Sequence, residues 1–353
     1  MKSKYDYIIV GQGIAGSVLS FLLKSNGRSV LLIDDGHPNS ASRVAAGMWN
    51  PISFKSLNAG WNDKLFLDEV FSVYPQIEKQ IGKKIFHPTE LARIFPDTFS
   101  ANQWEEKSVH PETKDFLSDV QDEIVLKQMI APHGHGVVKE SGWLDVQVML
   151  ESLRTIWKDE GKLLEENLNY QELKISKQNV SYKQHEASHL IFCTGTSNRE
   201  NPFFNFAEVR PNKGQVLSLK IPTLPLERML NYGNFLLPLG FGKFKAGSTY
   251  EFDSSEKGPT DEGRNEILQK LAEVFPDQVD VLDQVAGYRP TTYDRRPIIG
   301  LHPEHKRLYI FNGFGSRAVM MVPFFSKQLI DHIERGSQLE REASPLRFLS
   351  KAR

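Results

Sequence analysis

The stretch YDYIIVGQGIAGSVLSFLLKSNGRSVLLIDD, residues 5–35, constrains the fold more than any other part of the chain. Ile8, Ile9 and Val10 form a short apolar run suited to a strand covered on both faces. Gly11, Gly13 and Gly16 follow as GxGxxG, and Val18, Leu19, Leu22 and Leu23 recur at helical spacing. Gly27 is placed to stop that helix, and SVLLID reads as a second buried strand.

Each part of this strand–helix–strand frame has a physical task. Gly11 permits the tight turn, Gly13 lets a pyrophosphate approach the backbone, and Gly16 lets helix and strand pack closely. The helix start at Ile14 and Ala15 offers unpaired N–H groups and a partial positive charge to phosphate oxygens. Asp34, 18 residues after Gly16, stands where a carboxylate accepts from a ribose hydroxyl, and Asp35 is the alternative. The frame points to dinucleotide binding without separating NAD from FAD, which share the adenosine–pyrophosphate half.

A length of 353 residues suggests two lobes. Hydrophobic residues at 40% and charged residues at 25% suit a globular chain, and a net charge of −1 gives no global attraction to nucleic acid. The single cysteine, Cys193, excludes an intramolecular disulfide and a cysteine-rich metal site. No leader precedes Tyr5 and no apolar run approaches a membrane span, so a cytoplasmic protein is expected.

Further along, residues 61–81 carry a helical pattern with Pro75 as a kink or break, and a helix is expected from Asp145 to Glu160. ELKISKQNVSYKQ reads as a hairpin, SHLIFCTG as a buried strand ending in a small-residue turn, and residues 208–252 as strand-rich. DEGRNEILQKLAEVF is an amphipathic helix; RLYIFNGFGS is strand then turn, with a helix from about Val322 to Glu334 and a loosely held tail after Gly336. The pattern is α/β at the start, middle and end, with antiparallel material inserted twice. Only one GxGxxG sits in a strand–helix frame, so if the cofactor is a flavin its electrons come from the organic substrate.

Taken in order, GQGIAGSVLSFLL, SRVAAGMWNP, SGWLDVQVML, LIFCTG, RPNKGQVLSL, FLLPLGFGKFKAGSTYEF, AGYRPTTYDRRPIIG and FNGFGSRAVMMVPFF resemble the FAD-dependent D-amino-acid-oxidase-like superfamily, which includes glycine oxidase and sarcosine-type oxidases. The resemblance spans nearly the whole chain and is weakest over residues 55–130. It implies an α/β fold: a discontinuous Rossmann-like FAD-binding domain of the GR2 type (residues 1–52, 140–207 and 286–353) and an inserted α+β substrate domain on a mostly antiparallel sheet (53–139 and 208–285). It also implies that Ser42, Arg43, Ala45, Ala46, Gly47 and Met48 run along a non-covalently bound FAD, their small side chains admitting a flat ring. Thr194 and Gly195 would lie beside its phosphate or ribose, and Leu168 beside adenine. Gly315 would border the cofactor, and the backbone N–H groups of Ser316, Arg317, Ala318 and Val319, at a helix N-terminus, would face the pyrimidine O2, where negative charge develops on reduction.

The reaction implied is hydride transfer from an amine-bearing carbon to flavin N5, hydrolysis of the imine, and reoxidation by O2 to H2O2 or by another acceptor. Arg289 in GYRP matches the arginine that holds a substrate carboxylate, a task that suits a guanidinium's paired donors; the alternative is an internal pair with Asp294 or another acid. Met48 and Trp49 would turn toward the substrate; Tyr250 and Arg317 complete the expected pocket with Phe235, and Tyr288 is a further aromatic near it. Two departures from glycine oxidase stand out: Phe235 replaces a tyrosine, and Ser316 replaces an arginine, with Arg317 one place later. GSRAVMMVP with SPLRFLSKAR also resembles the FAD-dependent half of the bifunctional enzyme that modifies tRNA wobble uridine, so tRNA demodification is the alternative substrate reading, and a non-catalytic flavoprotein subunit the other. Cys193, inside a buried strand, reads as a core thiol, His133 and His135 as loop residues without a third metal ligand, and His302 and His305 as turn residues.

Overall fold

The computed structural model describes residues 3–37, 40–121, 129–252 and 257–351. Two large sheets organise them, with helices α1 (Ile14–Ser25), α2 (Ala41–Val44), α3 (Asp63–Ile81), α4 (Thr98–Ser108), α5 (Val146–Asp159), α6 (Asp261–Val274) and α7 (Ala318–Arg335).

In the first sheet the strands Leu163–Leu164, Val30–Ile33, Ser3–Val10, His185–Phe192 and Leu308–Asn312 run parallel, side by side. Ile8, Ile9, Leu31, Leu32, Leu190 and Ile191 are fully buried, which is why these strands read as continuous apolar runs. The antiparallel strand Ile298–Leu301 and the hairpin Leu173–Ile175/Val180–Tyr182 extend it. α1, α5 and α7 share a core with the inner face of this sheet through Leu19, Leu23, Met149, Leu153, Phe325 and Leu329.

The second sheet is antiparallel apart from one parallel pair, Met229–Asn231 with Leu91–Ile94. Arg210–Lys220 is its spine, flanked by Asp280–Thr291 on one side and by Lys243–Gly247 and Glu251–Phe252 on the other. Period-two alternation sorts its faces. Leu217, Leu219, Phe244 and Ala246 pack with Ile267 and Leu271 of α6, whereas Leu91, Met229 and Leu237 face the core shared with α3 and α7. That second face carries the residues of interest below.

Three sequence expectations change. α3 runs unbroken through Pro75, because Val70, Val73, Tyr74 and Ile77 around it are fully buried and hold the helix in register. α7 begins at Ala318, four residues ahead of the expected start, with Pro323 accommodated inside it. The tail is not loose: Ala343 is fully buried, Phe348 nearly so, and Arg347 pairs with Asp294 at 2.8 Å.

Candidate active site

The glycine turn is sterically obligatory. Gly11 has φ +99°, and a Cβ there would lie 2.5 Å from the Cys193 carbonyl oxygen. A Cβ on Gly16 would lie 1.9 Å from the Gly11 carbonyl oxygen, so helix and strand approach as closely as backbone allows. Gly13 is the N-cap of α1 and supplies no side-chain cap; the Ile14 N–H donates to Ser42 Oγ at 3.0 Å. Ser42 thus brings the second small-residue segment against the positive end of α1, beside Ala15. Asp34 accepts from the Gln12 N–H at 2.7 Å, the Gly36 N–H at 2.8 Å and Arg154 Nη1 at 2.7 Å. Asp35 is exposed and closes a local turn with the His37 N–H. Arg154 comes from α5, 120 positions from Asp34 in sequence, and only the fold reveals it as the partner.

Residues 40–47 are wedged between α1 and the end of the strand Asp280–Thr291. Ser40 bridges Tyr288, and a Cβ on Gly287 would lie 3.0 Å from Val44 Cβ. Ala45 and Ala46 are half-buried, Gly47 has φ +76°, and a Cβ on it would lie 2.0 Å from the Leu144 carbonyl oxygen. Arg43 approaches Glu151 at 3.7 Å. Across the fold, Gly315 (φ +56°) and Ser316 form a short turn, and Arg317 is the N-cap of α7, followed by Ala318 and Val319. Thr194 follows its strand with Oγ1 buried and without a partner among the described residues, beside Gly195 (φ +55°). Leu168 packs at the edge of the outer core.

These residues fit a dinucleotide. The N-cap residues of α1 and α7, Gly13 and Arg317, supply no side-chain cap, and Ser42 meets only the first N–H of α1, that of Ile14. Both helix starts adjoin glycine-lined segments, and the Thr194 hydroxyl, orphaned among the described residues, lies by the first of them.

Arg289 lies on the face of the second sheet that turns toward α3 and α7. Its guanidinium crosses Gly214, where a Cβ would meet it at 2.1 Å, and donates to Asn212 Oδ1 (2.8 Å), the Thr249 carbonyl (3.2 Å) and Ser248 Oγ (2.6 Å). The Tyr250 ring centroid is 4.4 Å from its Cζ, with Tyr250 itself 65% exposed. Among the described residues no acid pairs with Arg289, and burial pulls its pKa down from the usual arginine value. Asp294, the expected internal partner, is held by Arg347 instead. A Cβ on Gly247, one residue from Ser248, would lie 3.4 Å from the Phe235 ring.

Two expected substrate residues are placed differently. Trp49 is 2% exposed and stacked on Phe86 at 5.0 Å between centroids, because strand alternation sends it into the core; its neighbour Met48 stays half-buried, paired in register with Trp143. The Arg317 charge is already met by the buried carboxylate of Asp63. Burial pushes the Asp63 pKa up more strongly than Arg317, the Gly60 N–H and Arg296 pull it down. Sequence reasoning missed Asp63, and missed two further cations on the Arg289 face of the sheet, Arg93 and Lys245. Burial lowers the pKa of both; the field of Asp145 opposes this at Lys245 and no charge opposes it at Arg93. Cys193 is buried and its thiol pKa is pushed up. The His302 ring accepts from the N–H groups of Glu304 and His305 at 3.1 Å, as a turn residue does. His133 lies beside Thr98, and among the described residues no three His, Cys, Asp or Glu side chains form a metal site. No described helix is long and apolar enough to cross a membrane.

The chain is 25% identical to the uncharacterized oxidoreductase YurR of Bacillus subtilis (strain 168), over 96% of this chain and 97% of that one. It is 22% identical to the tRNA 5-methylaminomethyl-2-thiouridine biosynthesis bifunctional protein MnmC of Marinobacter nauticus, covering 92% of this chain but 55% of that longer protein. The crystal structure of L-proline dehydrogenase from P. horikoshii shares the fold, with a TM-score of 0.80 at 19% identity over 99% of each chain. Residues 6–332 match the family described as DAO, FAD dependent oxidoreductase, and the chain belongs to that family.

Proposed function

We propose that this FAD-dependent oxidoreductase oxidises the C–N bond of an amino acid or secondary amine that carries a carboxylate. The carrying observation is Arg289: a guanidinium held by four neutral acceptors, Asn212 Oδ1, Ser248 Oγ and the Lys213 and Thr249 carbonyls, with no acid partner among the described residues. A half-buried cation of this kind gains most from an incoming carboxylate, which its planar donors bind as a fork. The chemistry supplied by bound FAD is acceptance of a hydride, with O2 as the subsequent electron acceptor giving H2O2. The substrate loses two electrons and two protons, leaving an imine that water cleaves to a carbonyl compound and an amine.

In this reading Arg289 fixes the substrate's carboxylate end and Phe235, Tyr250 and Met48 wall the pocket. Ser42, Ala45, Ala46 and Gly47, with residues 315–319, border the cofactor, which is bound non-covalently; the burial of Cys193 supports this. The cofactor lobe comprises 1–52, 140–207 and 286–353, and the substrate lobe 53–139 and 208–285. The lone cysteine favours a cytoplasmic setting. The match to MnmC supports a second reading, in which the amine is a modified wobble uridine of tRNA.

Anaerobic titration of the yellow holoenzyme separates these. Bleaching of the visible flavin absorption by free carboxylated amines, with peroxide released on re-aeration, is the expected result. Bleaching only by tRNA bearing a carboxymethylaminomethyl group would establish the second reading. No bleaching by any amine would leave a non-catalytic flavoprotein and end the proposal.

A further inference from the structure

Arg93 shares the sheet face of Arg289. On its strand, Ala92 and Ile94 point into the α6 core, while Leu91 faces the core of α3 and α7, and Arg93 alternates with Leu91. Its guanidinium donates to Asn231 Oδ1 and lies 5.2 Å from the Phe54 ring centroid. Among the described residues no acid pairs with it. A hydrogen bond to Asn231 needs no charge, so among the described residues the face of the Phe54 ring is the only partner that favours the charge of this half-buried guanidinium, and it does not replace an anion.

Register connects the two arginines. Arg93 lies beside Asn231, Asn231 beside Phe235, and Phe235 beside Gly247. The next residue, Ser248, accepts from Arg289. Asn231 and Gly247 are two strand spacings apart, about 9–10 Å. Two unmatched guanidiniums therefore flank the apolar ring of Phe235.

We propose that Arg93 is a second anion-binding residue of the substrate pocket, and that the substrate is an amine bearing two acidic groups, one held by Arg289 and the other by Arg93. The apolar ring of Phe235 between them suits a short methylene linker. This inference rests on Arg289 as the carboxylate holder in the proposed function.

The test is ligand binding to the holoenzyme without turnover, read from perturbation of the bound flavin's visible spectrum. The probes are the monocarboxylates propionate and butyrate and the dicarboxylates succinate, glutarate and adipate. At least one dicarboxylate is expected to bind roughly tenfold or more tightly than the monocarboxylates. Arg93→Met should erase that advantage and leave monocarboxylate affinity unchanged. The absence of any dicarboxylate advantage in the unaltered protein, which needs no variant, would overturn the inference. So would equal weakening of both classes by Arg93→Met, or loss of the advantage in Lys245→Met but not in Arg93→Met. Intact monocarboxylate binding in Arg289→Met would instead remove the reading of Arg289 on which the inference rests.

Discussion

The Tyr74 hydroxyl donates to the Val319 carbonyl at 2.6 Å, the acceptor that Pro323, four residues on, cannot satisfy for lack of an N–H. A fully buried tyrosine of α3 thereby completes the first turns of α7, the helix whose start borders the expected flavin edge. Tyr74→Phe leaves that carbonyl orphaned and is expected to lower stability by about 1–3 kcal/mol. Adding Pro323→Ala restores an N–H donor and should recover part of the loss. Chemical denaturation of the single and double variants reads this; equal stability of Tyr74→Phe and the parent would refute it.

Asp63 and Arg317 form a buried–exposed pair in which the acid is 1% and the arginine 38% exposed. Arg317→Ala strands the carboxylate and is expected to cost about 3 kcal/mol, more than Asp63→Asn, which leaves a cation with access to water. A double-mutant cycle should give a coupling energy above about 1 kcal/mol. Additive effects would mean that the pair does not act as one.

Gly47→Ala places a methyl group where the Leu144 carbonyl already lies, at a positive φ. The segment must then shift away from Leu144. FAD content at purification is expected to fall well before the far-UV spectrum changes, and full FAD occupancy would show that residues 42–48 do not border the cofactor.

His189 is half-buried between the Tyr7 and Tyr309 rings, and its pKa is lowered to about 4 by burial and by Arg307, with Asp6 and Glu334 opposing. The unfolded chain binds the proton at about 6.5. Between those values the unfolded state holds more protons, so stability is full above about pH 6.5 and declines as pH falls toward 4, by about 1–2 kcal/mol once solvent screening is allowed for. His189→Gln should flatten this part of the stability profile between pH 7 and 5; an unchanged slope would contradict it.

What was legible in the sequence is what sterics dictate locally. Gly11 and Gly16 announce their turn because no other side chain fits, and the buried parallel strands announce themselves as uninterrupted Val, Ile and Leu. Arg289 was singled out by the resemblance of the GYRP motif, and its role as carboxylate holder is a proposal. Asp63 with Arg317, Arg154 with Asp34 and Tyr74 with Val319 were not legible, since 254, 120 and 245 positions separate the partners and nothing local marks either one. Trp49 was misplaced because a two-residue strand, paired only with Trp143 and Gly142, decides its direction. The Pro75 and Pro323 helices show buried faces outweighing a local breaker.

Arg289→Leu decides whether Arg289 holds a substrate carboxylate beside FAD, with FAD content and steady-state kinetics measured on the same preparation. Unchanged FAD content, a fall of about a hundredfold in kcat/KM for carboxylated amines, and little change for the matching amines without a carboxylate are expected. Loss of FAD in proportion to activity, or an equal fall for both amine classes, would contradict it.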